Sequence, residues 1–263
     1  LVLFYALIGQ AWNVAGGYAG QLSFGHAVFF GTGAYCSTIL QLKLGWNPWP
    51  GLAAAAGAGA LVGALIAALS FRFGLRGSYF ALITLAFAEV FRILTNAVEF
   101  TGGGLGLLIP LKRGAANFQF AERIGFYYAI LALTVLSIGI AIWLKRSRFG
   151  ARLAAIRENE DAARALGIDT YREKVKVMAL SGALCALGGS FYAQYYLYID
   201  PTVVFGLDKS AEMLLVAMIG GTGTVYGPLI GSLLLTLVGE ATRAVTDAQG
   251  LSLIIYGSLL ILI

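Results

Sequence analysis

Residues able to do acid–base, nucleophilic or metal chemistry are sparse in this chain, and they are scattered. There is one histidine, His26, and there are two cysteines, Cys36 and Cys185, both inside apolar stretches. A zinc site needs several His, Cys or carboxylate ligands at close spacing, so no metal ligands are expected. Neither His-Glu-x-x-His nor Gly-x-Ser-Gly occurs, which argues against a zinc or serine protease within the membrane. The phosphate-cradling loop Gly-x-x-x-x-Gly-Lys-Ser/Thr is missing too. The chain therefore reads as a non-enzyme whose energy enters from another subunit or from an ion gradient.

What remains is polar chemistry of the kind that lines a passage. Glu89 and Arg92 are three positions apart and share a helical face. Glu89 falls about 16 Å along a span of about 30 Å, where an unpaired carboxylate is costly. His26 is placed about 10 Å into its own helix. Asn13, Gln21 and Ser23 stand beside Gly16, Gly17, Gly20 and Gly25, and polar groups on flexible backbone suit a cavity wall. Thr84 completes the pathway set. For each of these the plainer reading is structural: an ion pair that fixes helix rotation, or hydrogen bonds between helices. Gly59-x-x-x-Gly63 and the ladder Gly223, Gly227, Gly231 read as close helix contacts.

Positioning these residues requires a membrane. Of 263 residues, 59% are hydrophobic and only 12% charged, against about 25% charge in soluble domains, and the mean hydropathy is +0.81. That excludes a soluble, disordered or nucleic-acid-binding chain. The fold class is all-α and polytopic, in a single membrane domain over 1–263. Apolar stretches lie at 1–16, 19–42, 51–70, 78–97, 124–144, 177–197, 211–222, 225–241 and 251–263. The seventh is too short to cross a core of about 30 Å and reads as a partial helix. Both ends look trimmed, and a further helix before Leu1 would make ten.

Half of the 18 basic residues fall in 145–176: Lys145, Arg146, Arg148, Arg152, Arg157, Arg164, Arg172, Lys174 and Lys176. The positive-inside rule places this loop in the cytoplasm. Arg72 and Arg76 then fall on the same side, while Lys112, Arg113 and Arg123 run against the rule. Within the loop, Phe149, Leu153, Ile156, Ala163 and Leu166 form one helical stripe, Gly167 suits a left-handed helix end, and Thr170 with Glu173 has capping-box spacing.

Asp161-Ala162-Ala163-Arg164-Ala165-Leu166-Gly167 resembles the Glu-Ala-Ala-x-x-x-Gly loop of ABC importer permeases, with Asp for Glu and without the later Ile-x-Leu-Pro. Gly17-Tyr-Ala-Gly-Gln-Leu-Ser-Phe-Gly-His-Ala27, Arg76-Gly-Ser-Tyr-Phe-Ala-Leu82, Thr101-Gly-Gly103, Ala155-Ile-Arg-Glu-Asn-Glu160 and Gly220-Gly-Thr-Gly-Thr-Val-Tyr-Gly-Pro228 resemble, in the same order, the M-type permease subunit of branched-chain amino acid ABC importers. The resemblance implies a type II-like permease architecture in a bacterial inner membrane. It also implies a second related permease subunit, two cytoplasmic ATPases carrying ATP and Mg, and an extracytoplasmic binding protein. No cofactor is expected on this chain. The loop residues implied to dock the ATPase are Arg157, Glu158, Asp161, Ala162, Ala163 and Gly167, and the solute is leucine, isoleucine, valine or a relative such as urea or short amides. The rival is an ion-coupled secondary transporter. If Glu89 belongs to the mechanism, Glu89→Gln lowers substrate-dependent uptake while assembly is kept; normal uptake by the assembled variant removes it.

Overall fold

The computed structural model describes residues 1–112, 114–120 and 122–245. Among them are eleven α-helices: α1 (Val2–Ala19), α2 (Ala27–Leu44), α3 (Pro48–Arg72), α4 (Gly77–Ala97), α5 (Arg123–Arg146), α6 (Arg148–Glu158), α7 (Glu160–Ala165), α8 (Thr170–Tyr196), α9 (Pro201–Val204), α10 (Leu207–Gly220) and α11 (Gly227–Val245). Every expected stretch except the last coincides with one of the longer helices; 251–263 and Arg113 lie outside the described residues. Only α3, α4, α5 and α8 are long and apolar enough to cross a membrane on length and composition. The expected count of nine segments is therefore not established.

Helix α1 falls short of that composition for a physical reason. Every residue from Ala6 to Ala19 is buried beneath α5, α8, α10 and α11. A helix wrapped by protein has no need of an apolar outer face, so α1 tolerates Gln10 and Asn13. The outer helices do the opposite: Leu61 and Leu65 on α3, Leu82 and Ile93 on α4, and Val135 on α5 are exposed on the chain's surface.

Glycine sets the closest packing. A Cβ on Gly59 or Gly182 would strike backbone of the facing helix, and one on Gly63 would meet the Met178 carbonyl. Helices α3 and α8 thus approach backbone to backbone, as the Gly59-x-x-x-Gly63 spacing predicts. Gly227 and Gly231 of α11 pack in the same way on the end of α10. Gly223 does not belong to that ladder: at φ 75° it turns the chain between the two helices.

Three expectations shift by local chemistry. Gly20 ends α1 in the left-handed region (φ 67°), so the chain to His26 is irregular and His26 is the residue that starts α2 rather than one deep inside it. The loop stripe is broken after Glu158, where Asn159 Oδ1 accepts the amides of Asp161 (3.1 Å) and Ala162 (3.0 Å) and begins a new helix. Leu166 consequently leaves the stripe and is 82% exposed, while Gly167 takes the expected left-handed conformation. The cap of α8 is Asp169 rather than Thr170, its carboxylate accepting the Arg172 amide at 3.0 Å.

Gly182→Val should overpack the α3–α8 contact and cost about 1–3 kcal/mol. The check is thermal unfolding of the purified chain in detergent, and an unchanged midpoint would contradict this packing.

Candidate functional site

The charged loop is fastened to the ends of the long helices at three places. Arg157, on the last turn of α6, donates from Nη1 to the Gly17 carbonyl of α1 at 2.7 Å. This approach exists because the neighbours are glycines: a Cβ on Gly20 would sit 3.1 Å from the Arg157 side chain, and one on Gly223 would meet the guanidinium and the Gly17 carbonyl. The second fastening is Arg76, in the turn between α3 and α4. Its guanidinium forks onto Asp161, Nη2 to Oδ1 at 3.1 Å and Nη1 to Oδ2 at 3.2 Å, and reaches Glu160 at 3.4 Å. The third joins loop to α8: Arg152 to Glu173 at 3.1 Å and Lys174 to Glu160 at 2.8 Å.

The hydrogen bonds from Arg76 hold the Asp161 carboxyl below the usual carboxylate range. A lowered folded value means that this contact is complete above the unfolded value of about 3.9 and is lost as pH falls through the folded one. At neutral pH the fork is formed. Both partners are exposed, so the fork contributes little to stability.

The expected pathway residues separate into two groups. Asn13 is a clamp: its Oδ1 accepts the Gly223 amide at 2.7 Å and its Nδ2 donates to the Thr224 carbonyl at 2.9 Å. Gln21 donates to the Ala19 carbonyl at 2.8 Å. The Ser23 carbonyl accepts from Trp12 Nε1 at 2.8 Å, and the Thr84 hydroxyl accepts the Phe24 amide at 3.2 Å. His26 Nε2 lies 2.8 Å from Ser181 Oγ, which itself donates to the Ala11 carbonyl. All of these are buried; Asn13 ties α1 to the Gly223–Thr224 turn, and the others tie the irregular segment 20–26 to α1, α4 and α8. Glu89 and Arg92 stand apart. They pair, Nε to Oε2 at 2.9 Å, on the side of α4 that this chain leaves uncovered.

In the loop, Ala163 packs inward while Glu158, Asp161, Ala162 and Gly167 are exposed. In the sequence Lys174 stands out only as topology-setting charge, and Arg76 as that and as the first residue of the Arg76–Leu82 block. Their partners at 160 and 161 form with them an acidic pair between basic residues, the one sequence signal that could have found the contact. Among the described residues no group of three or more His, Cys, Asp or Glu could hold a metal.

Apolar helices around an enclosed α1 that carries polar side chains, with a charged loop fastened to their ends, define a protein of the membrane-embedded class. The family model described as "Branched-chain amino acid transport system / permease component" matches residues 1–263, and the chain belongs to that family. It is 29% identical to the high-affinity branched-chain amino acid transport system permease protein LivM of Escherichia coli K12, over 100% of this chain and 66% of that protein. It thus spans just under two thirds of that relative's length. It is 26% identical to the permease protein LivH of the same organism, over 93% of this chain and 83% of the relative. A ribose import permease protein of Bacillus subtilis, RbsC, is 30% identical over 68% of this chain and 56% of its own length. These relatives are named as transport permeases, and family membership together with its apolar helices makes this chain a multi-pass membrane permease.

Asn13→Ala should leave the Gly223 amide and the Thr224 carbonyl unsatisfied at a cost of about 1–3 kcal/mol. Thermal unfolding measures it, and a loss below a few tenths of a kcal/mol would show that the clamp is dispensable.

Proposed function

We propose that this chain is the translocating subunit of an ABC importer that moves leucine, isoleucine, valine or a related small solute inward, driven by ATP hydrolysis on partner subunits. The observation that carries the proposal is the loop: a segment with the Asp-Ala-Ala-x-x-x-Gly pattern, exposed at Asp161, Ala162, Leu166 and Gly167, is bonded to the ends of α1, α8 and the α3–α4 turn. A docked ATPase subunit would grip the exposed side, and the anchors would pass its displacement to the membrane helices. The chain has no ATP-binding loop of its own, which fits such a division of labour.

The loop lies on the cytoplasmic side of a bacterial inner membrane, as its basic excess favours. The uncovered side of α4 faces a second, related permease subunit across the pathway. Glu89 and Arg92 support this placement, because an ion pair midway along an apolar helix is costly against lipid and far less so against a partner or a wet passage. A zwitterionic solute could brush both charges there. Solute choice rests with an extracytoplasmic binding protein that delivers to the outer mouth, and the branched-chain preference is drawn from the LivM and LivH names; the ribose relative marks how far solutes vary across the family.

In proteoliposomes, leucine uptake should require this chain together with its permease partner, ATPase subunits, binding protein and ATP. Uptake by the chain alone on a proton or sodium gradient would overturn the proposal in favour of a secondary transporter. Asp161→Lys or Gly167→Pro should release or uncouple the ATPase, and full recovery and activity of the ATPase on such variants would refute the docking assignment.

A further inference from the structure

The loop resemblance puts its weight on Asp161, whereas the geometry points to the neighbouring acid and to a buried cation outside the pattern. Asp161 and Arg76 are open to solvent, but Lys174 and Glu160 are not: their side chains are 4% and 12% exposed, and they pair at 2.8 Å. The Lys174 ammonium also sits 4.2 Å from the centre of the Phe71 ring, and Phe71 stacks on Phe80 at 4.8 Å. Glu160 begins α7, Lys174 lies near the start of α8, Phe71 near the end of α3 and Phe80 in the first turn of α4. Helices α7, α8 and α3 therefore meet at one ammonium group, and α4 joins them through the Phe71–Phe80 stack. The other charges facing it are Arg76 and Arg164, both on Glu160 as well (3.4 Å and 3.2 Å).

We propose that Lys174 is a positioning residue: held between Glu160 and the Phe71 ring, it pins α7 to α3, α4 and α8 so that loop and helix ends move as one body. Exposed ion pairs hold geometry weakly, whereas the enclosed Lys174 ammonium depends on Glu160 as its carboxylate partner and is left uncompensated without it. A cation on an aromatic face adds attraction that strengthens as water is excluded. The Arg76–Asp161 fork by itself would let α7 swing; Lys174 is what makes the attachment stiff. This role in coupling rests on the permease reading above, but the pin itself does not.

The test uses the full complex with Lys174→Met, Glu160→Gln, the double variant and Lys174→Arg. Hydrogen exchange of the α7 amides should rise about tenfold in Lys174→Met, no further in the double variant, and return towards the parent in Lys174→Arg. In proteoliposomes Lys174→Met should still hydrolyse ATP while the ATP used per leucine imported rises about tenfold. Unchanged α7 exchange in a folded Lys174→Met would overturn the pin. Raised exchange with an unchanged ATP-to-leucine ratio would overturn its role in coupling. A parent complex with no ATP-dependent leucine uptake would overturn the leucine-import reading instead, and the exchange measurement would then decide the pin alone.

Discussion

The structure depends on one contact more than any other: the Arg157 guanidinium on the Gly17 carbonyl. Arginine brings a permanent charge and a rigid fan of donors, and a carbonyl near the C-terminal end of a helix carries partial negative charge with no partner further along its own helix. The contact joins a soluble loop to the most enclosed helix of the chain. It is possible only because Gly17, Gly20 and Gly223 present bare backbone at the place where three segments converge. Asn13 then locks the Gly223 turn onto the same helix. Through this one point the loop is bonded to α1 directly, and the turn between α10 and α11 is bonded to the same helix.

The membrane supplies the complementary constraint. A polar group in hydrocarbon must find a partner, and a set of uncharged polar side chains on the long helices is buried inside the protein. Gln21, Ser23, His26 and Thr84 bond the irregular segment 20–26 to its neighbours, and Asn13 does the same for the Gly223–Thr224 turn, so that irregular backbone finds its polar partners within the protein. Glu89 and Arg92 are the contrast. Their charges satisfy one another but remain on an open side, and that difference is why α4 and not the histidine-bearing segment carries the proposed pathway face.

Much of this was legible in the sequence where the cause is local. Apolar runs gave the helices, Gly59-x-x-x-Gly63 gave the backbone contact of α3 with α8, and Gly167 gave the end of α7. The cap of α8 was missed by one residue because Asp169 and Thr170 are both able to accept an amide. Leu166 was misplaced because the stripe assumes a continuous helix, and Asn159, an exposed and unremarkable residue, restarts it. The Arg157 contact left no pattern to find: its acceptor is a backbone carbonyl 140 positions away, and the glycines around it read equally well as helix packing. Lys174 was hidden for another reason. In a membrane protein, basic residues at helix ends are expected from topology alone, and burial against Phe71 is a tertiary fact.

The central claim is that the loop and the ends of the long helices form one mechanical body. Its most direct test is a spin-label distance between Ala154 on α6 and Tyr226 in the turn before α11, both exposed, in the assembled complex in lipid nanodiscs. The account predicts one narrow distance that is the same with and without ATP, whatever the rest of the complex does. A distance that shifts or splits on ATP binding would show the loop moving independently of the helices it is bonded to, and would contradict the account.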